Sequence, residues 1–114
     1  MSDEAELCQA RIEEIKQRLC ELGEMRPGSI SEQYNVCGNP SCKCKDPEEP
    51  KKHGPYYQLS YTHQGRSTTE FVKKDDLPVI KQQVENYRTF KRLTKEWVDL
   101  SVKIARQKKR GTRR

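Results

Sequence analysis

The sequence predicts an α+β fold, with a small three-stranded antiparallel sheet between an N-terminal helix and a long C-terminal helix. Apolar residues recur at three- and four-residue spacings near both ends of the chain, which predicts the helices, and they alternate with polar residues in the middle, which predicts strands. Only 32% of the 114 residues are hydrophobic and 35% are charged, so a large core is not available. The helices are therefore expected to pack together as an antiparallel coiled coil, within one chain or across a dimer.

The N-terminal helix is predicted over residues 3–23, within a first segment of residues 1–25. Acidic residues at its start suit the positive end of the helix dipole, and Gly23 is placed to end it. The helix needs a partner, because a short amphipathic helix is marginal in water on its own. Its apolar seam repeats over two heptads and consists of Cys8, Ile12, Ile15, Leu19 and Leu22.

A second segment, residues 26–75, is predicted to contain a loop and a meander of three strands. Gly65 can adopt the positive φ that a tight turn between the last two strands requires. The predicted strands cover residues 30–36, 56–62 and 67–73. Tyr57, Leu59 and Tyr61 share one face of the middle strand, and Thr69 and Phe71 share one face of the third.

The long C-terminal helix is predicted over residues 76–108. Asp75 and Asp76 are expected to cap it and to place acids in its first turn, and Pro78 suits a position where the missing N–H does no harm. At 1.5 Å per residue the helix would be about 50 Å long, which is more than a small sheet can cover. Its apolar seam shifts sideways once, near Phe90, and consists of Ile80, Val84, Tyr87, Phe90, Leu93, Trp97, Leu100 and Ile104.

Three cysteines and a histidine cluster between the first two strands. The run Cys37-Gly-Asn-Pro-Ser-Cys42-Lys-Cys44 is followed nine residues later by His53. Thiolates and an imidazole are ligands that zinc prefers, and four of them close a structural site with no open position for a catalytic water. We therefore expect structural Zn²⁺ on these four residues, with His63 in reserve as fourth ligand. Free thiols, or a redox pair at Cys42 and Cys44, are the alternatives.

The charge of the chain is unevenly distributed around its net value of +6. Residues 1–25 carry seven acids and three bases, a balance of −4, whereas residues 26–114 carry twenty bases and ten acids, a balance of +10. Phosphate polyanions are the usual partners of a body this basic. We expect nucleic acid as the partner, and DNA rather than RNA.

Three groups of side chains are predicted to contact nucleic acid. The group near the loop and the hairpin consists of Lys51, Lys52, Tyr56 and Arg66. The group along the long helix consists of Arg88, Arg92 and Lys95. The C-terminal group, which includes a predicted frayed tail over residues 109–114, consists of Arg106, Lys108, Lys109, Arg110, Arg113 and Arg114. Glu85, Glu96 and Asp99 interrupt the helix stripe, so an ordinary solvated face is the alternative there.

Other classes of function find little support in the sequence. No stretch approaches the roughly 20 apolar residues that span a bilayer, so no membrane association is expected. The N-terminus has no secretory signal, and the cysteines are therefore expected in a reducing cytoplasm. No nucleophile elbow, phosphate-binding loop or pair of carboxylates in a plausible pocket is apparent, so we do not expect an enzyme.

Four motifs together resemble a family of small, uncharacterised prokaryotic proteins. The motifs are Pro27-Gly28-Ser29, Cys37-Gly38 with Cys42-x-Cys44, His53-Gly54-Pro55-Tyr56-Tyr57, and Asn86-Tyr87-x-x-Phe90. Such proteins carry a domain of unknown function and often occur near transposases and other mobile-element genes. The resemblance implies that the three cysteines and His53 are shared polar positions, which suits a metal site.

The predicted sheet and helix also resemble, in architecture alone, the arm-binding domains of integrases, which place a small sheet in the DNA major groove. In that comparison the groove-facing side consists of Gln58, Ser60, Thr62, Arg66, Thr68 and Glu70. Our leading hypothesis is a sequence-tolerant nucleic-acid-binding accessory protein with structural zinc, associated with mobile DNA. The alternative is an adaptor that holds a partner protein on its helices and has no direct nucleic-acid role. Either hypothesis allows a homodimer through the helices.

Overall fold

The computed structural model describes residues 3–35, 41, 46 and 52–112, and its architecture is α+β. In chain order the elements are α1 (Asp3–Glu21), β1 (Ser29–Asn35), β2 (His53–His63), β3 (Arg66–Val72), a 3₁₀ turn (Lys74–Asp76) and α2 (Leu77–Thr112). The predicted order of an N-terminal helix, an antiparallel sheet and a long C-terminal helix is confirmed. The chain divides into a helical unit, Met1–Met25 with Glu85–Arg114, and a sheet unit, Arg26–Val84.

In the helical unit, polar contacts show that α1 and α2 run antiparallel. Near the start of α1, Glu4 Oε2 lies 2.7 Å from Lys103 Nζ. Further along, Arg11 donates Nε–H and Nη2–H to the carboxylate of Glu96 at 2.7 and 2.9 Å. Residue numbers rise along α1 as they fall along α2, so the two helices have opposite directions.

The predicted seam of α1 is the side that the helical unit buries. Cys8, Ile12 and Ile15 are buried, and Leu93 of α2 is fully buried as well. This result explains Cys8 as a small core residue, as its heptad position predicts. A coiled-coil supertwist of the two helices stays a prediction.

In the sheet unit, the three strands are antiparallel and follow the chain order β1-β2-β3. Leu59 in the central strand stands opposite Ile30 of β1 and Glu70 of β3. The ladder between β1 and β2 is irregular between Gln33 and Asn35. Because side chains alternate between the two faces of a strand, this register assigns every position of the sheet to a face.

One face of the sheet is covered by the first part of α2, and the other is open. The buried cluster of the covered face consists of Leu59, Val72, Leu77 and Val84, with Ile30, Tyr57, Tyr61 and Ile80 packed around it. The open face consists of Ser29, Ser31 and Gln33 from β1, Tyr56, Gln58, Ser60 and Thr62 from β2, and Ser67, Thr69 and Phe71 from β3. The prediction that Tyr57, Leu59 and Tyr61 share one face is therefore confirmed, and that face is the covered one.

The register places Thr69 and Phe71 on the same face of β3, as predicted, and that face is the open one. Phe71 stands opposite Gln58 and is 65% exposed, because Val72 takes the place in the core. Thr68 and Glu70 stand opposite Tyr61 and Leu59, so they belong to the covered face. The set taken from the integrase comparison therefore mixes residues from both faces.

The helix boundaries also differ from those predicted. Asp75 and Asp76 lie in the 3₁₀ turn, and the first turn of α2 contains no acid. α2 continues to Thr112, so residues 109–112 are helical although a frayed tail was expected. Basic residues near the last turn favour this extension, because cations stabilise the negative end of a helix dipole. In the part of the chain that is described, neither helix combines the length and apolar character needed to cross a membrane.

Candidate nucleic-acid interface and metal ligands

Of the four predicted metal ligands, the structure describes His53. The predicted ligands Cys37, Cys42 and Cys44 lie outside the described residues. His53 is the first residue of β2, three residues before the predicted start of that strand, and it stands opposite Asn35, the last residue of β1. Within residues 3–35, 41, 46 and 52–112, no three His, Cys, Asp or Glu side chains come together as a metal site.

The reserve ligand His63 lies at the other end of β2. It is exposed and stands opposite Arg66 in the register of the hairpin. His63 follows His53 by ten residues along β2, which at about 3.3 Å per residue corresponds to a distance of about 33 Å. The two histidines of the chain are therefore held at opposite ends of the central strand.

Close packing of the backbone fixes the start of β2 beside β1. Gly54 has φ 141°, and a Cβ at this position would lie 2.8 Å from the carbonyl oxygen of Gln33 and 2.9 Å from the Tyr34 ring. Only glycine fits such a close approach without displacing its neighbours. His53 is consequently anchored on a strand whose position against β1 is tightly constrained.

Arg66 lies at the turn between β2 and β3. Gln64 and Gly65 of this turn both have positive φ, 53° and 76°, as a two-residue hairpin turn requires. Arg66 lines a shallow polar pocket together with Tyr61, His63, Gln64 and Thr68. This end of the hairpin thus offers a guanidinium, an imidazole and an amide side by side.

The predicted basic side chains of α2 differ in whether they form ion pairs with carboxylates. Arg88 Nη1 lies 3.9 Å from Glu85, and Lys95 Nζ lies 3.1 Å from Asp99, so both have carboxylate neighbours on their own helix. Arg92 and Arg106 are exposed, and within the described part of the chain neither donates a hydrogen bond to a carboxylate. Carboxylates are still close to both, because the charge of Arg92 helps to lower the pKa of Glu96, and Arg106 lines a pocket with Glu4 and Asp99.

The remaining predicted contacts occupy exposed or undescribed positions. Lys52 is exposed immediately before β2, and Lys108 is exposed near the end of α2. Lys109 and Arg110 are in the helical backbone of α2. The predicted contacts Lys51, Arg113 and Arg114 lie outside the described residues.

An aromatic pair on the open face includes a residue that the sequence analysis did not single out. The ring centroids of Tyr56 and Phe71 are 6.5 Å apart, with an interplanar angle of 50°. Tyr56 is half-buried, and Phe71 is much more exposed. The sequence contains one partial signal: Phe71 and Val72 are adjacent in a strand and cannot both enter the core, so one of the two must be exposed.

The ion pairs of the helical unit shift the pKa values of their own groups. A hydrogen bond from Lys103 lowers the pKa of Glu4, and one from Arg11 lowers the pKa of Glu96. The same bonds raise the pKa values of Lys103 and Arg11. All four groups are therefore charged at neutral pH, and the positive charge of Lys103 is balanced by the carboxylate of Glu4.

A family model described as "Domain of unknown function (DUF6788)" matches residues 5–82. The matched range covers α1, all three strands and the start of α2. No curated protein and no solved structure matches the chain.

Proposed function

Because the chain belongs to the DUF6788 family of domains of unknown function, we propose its function from its own residues: it is a nucleic-acid-binding accessory protein with a structural zinc site. It binds DNA in preference to RNA and acts in association with mobile DNA in the cytoplasm. It contributes binding to the process that it serves and catalyses no reaction of its own.

The observation that carries this proposal is the exposed basic side of α2. Arg92 and Arg106 follow Arg88 by four and eighteen residues, which are close to whole numbers of helical turns. The three arginines therefore lie on nearly the same side of α2. At 1.5 Å per residue, the side from Arg88 to Arg106 is about 27 Å long. Double-stranded DNA carries a phosphate charge per about 1.7 Å of its axis, so a row of cations of this length can contact several phosphates.

The distribution of charge supports the same partner. Two ion pairs join α1 to α2, where Glu4 of α1 binds Lys103 of α2 and Arg11 of α1 binds Glu96 of α2. These pairs occupy Arg11 and Lys103, whereas Arg92 and Arg106 form no ion pair with a carboxylate among the described residues. Nucleic-acid phosphates bind such cations favourably, because binding releases the counterions that are condensed on the nucleic acid.

The nucleic-acid proposal is tested by salt-dependent titration. We would follow the anisotropy of labelled duplex DNA, single-stranded DNA and structured RNA at about 50 and 200 mM salt. The variant R92A/R106A should bind duplex DNA more weakly and with a salt slope that is flatter by up to about 2, because each phosphate contact contributes about 0.9.

The matched control for this test is R18A/K74A, which removes the same charge from exposed positions that are not on α2. This control should retain most of the affinity. Equal losses in the two variants would mean that only net charge matters, and absence of binding at low salt would remove the nucleic-acid function.

The zinc site is proposed on Cys37, Cys42, Cys44 and His53. His53 stands opposite Asn35, and Cys37 follows Asn35 by two residues, which span at most about 7 Å. Chain connectivity therefore keeps the first thiolate near the imidazole, whereas His63 is at the far end of β2. When bound, zinc would close the loop between β1 and β2 and stabilise a segment too polar to form its own core.

The zinc proposal is tested by metal content. The purified protein should contain stoichiometric zinc by mass spectrometry of the metal, and Co²⁺ should give the absorption of a tetrahedral thiolate site. C42S and H53N should lose zinc, whereas H63N should keep it. Full retention of zinc in H53N would show that another group is the fourth ligand.

A second candidate, the protein-interaction adaptor, is favoured by one apolar surface of the helical unit. A groove on α2 is lined by Thr94, Trp97, Val98, Ser101, Val102 and Ala105. Val98 is 59% exposed, and Leu7 of α1 is 70% exposed. Small and apolar side chains of this kind allow a helix of a second copy to approach closely.

The adaptor function predicts self-association through this groove. Light scattering after size exclusion should show a dimer of the native protein and a monomer of V98S/V102S. A native protein that is monomeric at high concentration would count against this dimer.

A further inference from the structure

We propose that the open face of the sheet is a platform for unpaired nucleobases, on which Phe71 and Tyr56 are the stacking side chains. The proposal rests on nucleic acid being the partner of the chain, and it adds a binding site and a preferred substrate class, single-stranded nucleic acid. It is independent of the bases of α2, because all its residues belong to the sheet unit.

The first argument is the exposure of the aromatic pair. Phe71 is 65% exposed near the end of β3, and its neighbour Val72 already fills the core position. Tyr56 lies beside it with its ring centroid 6.5 Å away. An exposed phenyl ring is costly in water unless something covers it, and base–aromatic stacking is favourable for every base because each has a π-face.

The second argument is the polar surface around the two rings. Ser60 and Thr69 form a hydroxyl pair across β2 and β3 at 3.2 Å, and Thr62 and Ser67 form another at 3.0 Å. Gln58 stands opposite Phe71 and adds an amide to the same face. Hydroxyl and amide groups can both donate and accept hydrogen bonds, which suits the mixed edges of nucleobases.

The third argument is the position of charge. All ten residues of the open face, which are named above, are uncharged. Basic residues lie at its margin, where Lys52 precedes β2 and Lys73 follows β3 in an extended conformation, two residues after Phe71. An uncharged aromatic centre with a cationic margin complements a single strand, whose bases are neutral and whose backbone is anionic.

The composition of the face favours single-stranded nucleic acid over a protein partner. The core of a protein–protein interface is more apolar than the surrounding surface. The open face contains no aliphatic side chain, and its two aromatic rings are surrounded by hydroxyl and amide groups. A duplex is also a poor occupant, because its bases are already stacked and only their edges are exposed.

The experiment measures binding of an oligothymidylate about 20 nucleotides long and of a duplex of the same length. F71A should lower the affinity for the single strand by about 5- to 100-fold, because one stacking contact is lost. The salt slope should be unchanged, since phosphate contacts are kept. F71W should restore affinity, and its indole emission should be quenched by the single strand beyond any change at Trp97.

The control is V79A, which removes an exposed aliphatic side chain from α2 within the sheet unit. It should bind both probes as the native protein does. Circular dichroism and urea unfolding of F71A should match those of the native protein, because the side chain is outside the core.

The remaining outcomes separate this proposal from the nucleic-acid function. Native-like binding of the single strand by F71A would overturn the platform and leave the nucleic-acid function intact. Equal losses for the single strand and the duplex would overturn base stacking in favour of groove binding. A dimer that F71A disrupts would assign the face to a second copy instead. Absence of all binding by the native protein would overturn both proposals.

Discussion

At the scale of single residues, the sheet gives neighbouring apolar side chains very different surroundings. Leu59 is fully buried at the centre of the covered face, whereas Phe71 is 65% exposed on the open face. Both are large and hydrophobic, so hydrophobicity alone cannot distinguish them. The direction in which each side chain leaves its strand decides what a substitution will do.

Truncation of these two side chains should therefore lower the free energy of unfolding by very different amounts. Leu59→Ala should lower the free energy of unfolding by about 2–5 kcal/mol, because it removes buried contacts and leaves a cavity. Phe71→Ala should change it by less than about 0.5 kcal/mol, as at other surface sites. Urea denaturation followed by circular dichroism measures both. A comparable loss in the two variants would contradict the assignment of faces.

A polar cluster beside the core should also contribute to stability. Glu70 accepts a hydrogen bond from the Tyr61 hydroxyl at 2.9 Å and lies 3.4 Å from Arg26. Tyr61→Phe should lower the free energy of unfolding by about 1 kcal/mol, the usual contribution of such a bond. In a double-mutant cycle with Glu70→Ala the two effects should be less than additive. Strict additivity would show that the two side chains do not interact in solution.

At the scale of elements, the contact of α1 with α2 should depend on pH. The carboxyl groups of Glu4 and Glu96 have lowered pKa values in the folded chain. Their contribution to stability is therefore present above the ordinary carboxyl pKa of about 4.5, and it is lost as pH falls through the lower folded value. The urea midpoint of the helical unit should fall between about pH 5 and pH 3.

The matched variant for this measurement is Glu96→Gln, which removes one of the two titrating groups. It should lower the midpoint at pH 7 and reduce the decrease on acidification. An identical pH profile in Glu96→Gln and the native protein would show that the bond to Arg11 does not contribute.

The accuracy with which the sequence predicts each element depends on how many apolar residues that element contains. The heptad spacing of α1 identified its buried side, because five apolar positions leave one consistent stripe. β3 reads Arg-Ser-Thr-Thr-Glu-Phe-Val, with its two large apolar residues adjacent, so alternation could not say which one enters the core. The pairing of Leu59 with Glu70 decides it, and pairing is a property of two strands together.

The candidate sites were predictable to different degrees for similar reasons. Basic residues are visible in any sequence, but whether Lys95 is engaged by Asp99 depends on helix geometry. The stacking candidate Phe71 was missed, because its exposure follows from the register alone. The distance of His63 from His53 likewise became clear only once both were found on one strand.

At the scale of the whole molecule, removal of the proposed zinc should affect the two units unequally. Zinc would close the segment between Asn35 and His53, so its loss removes a constraint from β1 and the start of β2. Amide hydrogen exchange after chelation should accelerate there, with a smaller change in α1. Exchange that is unchanged in β1 and β2 would contradict a structural role for the metal.

The pairing of Glu4 with Lys103 and Gln107 brings the beginning of α1 beside the last turns of α2. A short peptide linker could therefore join the start of α1 to the end of α2 at little cost in loop entropy. New ends could then be opened in the exposed hairpin turn at Gln64 and Gly65, where a break removes few contacts. Such a circular permutant would carry the same contacts in a new chain order, and a fusion partner could be attached at the hairpin.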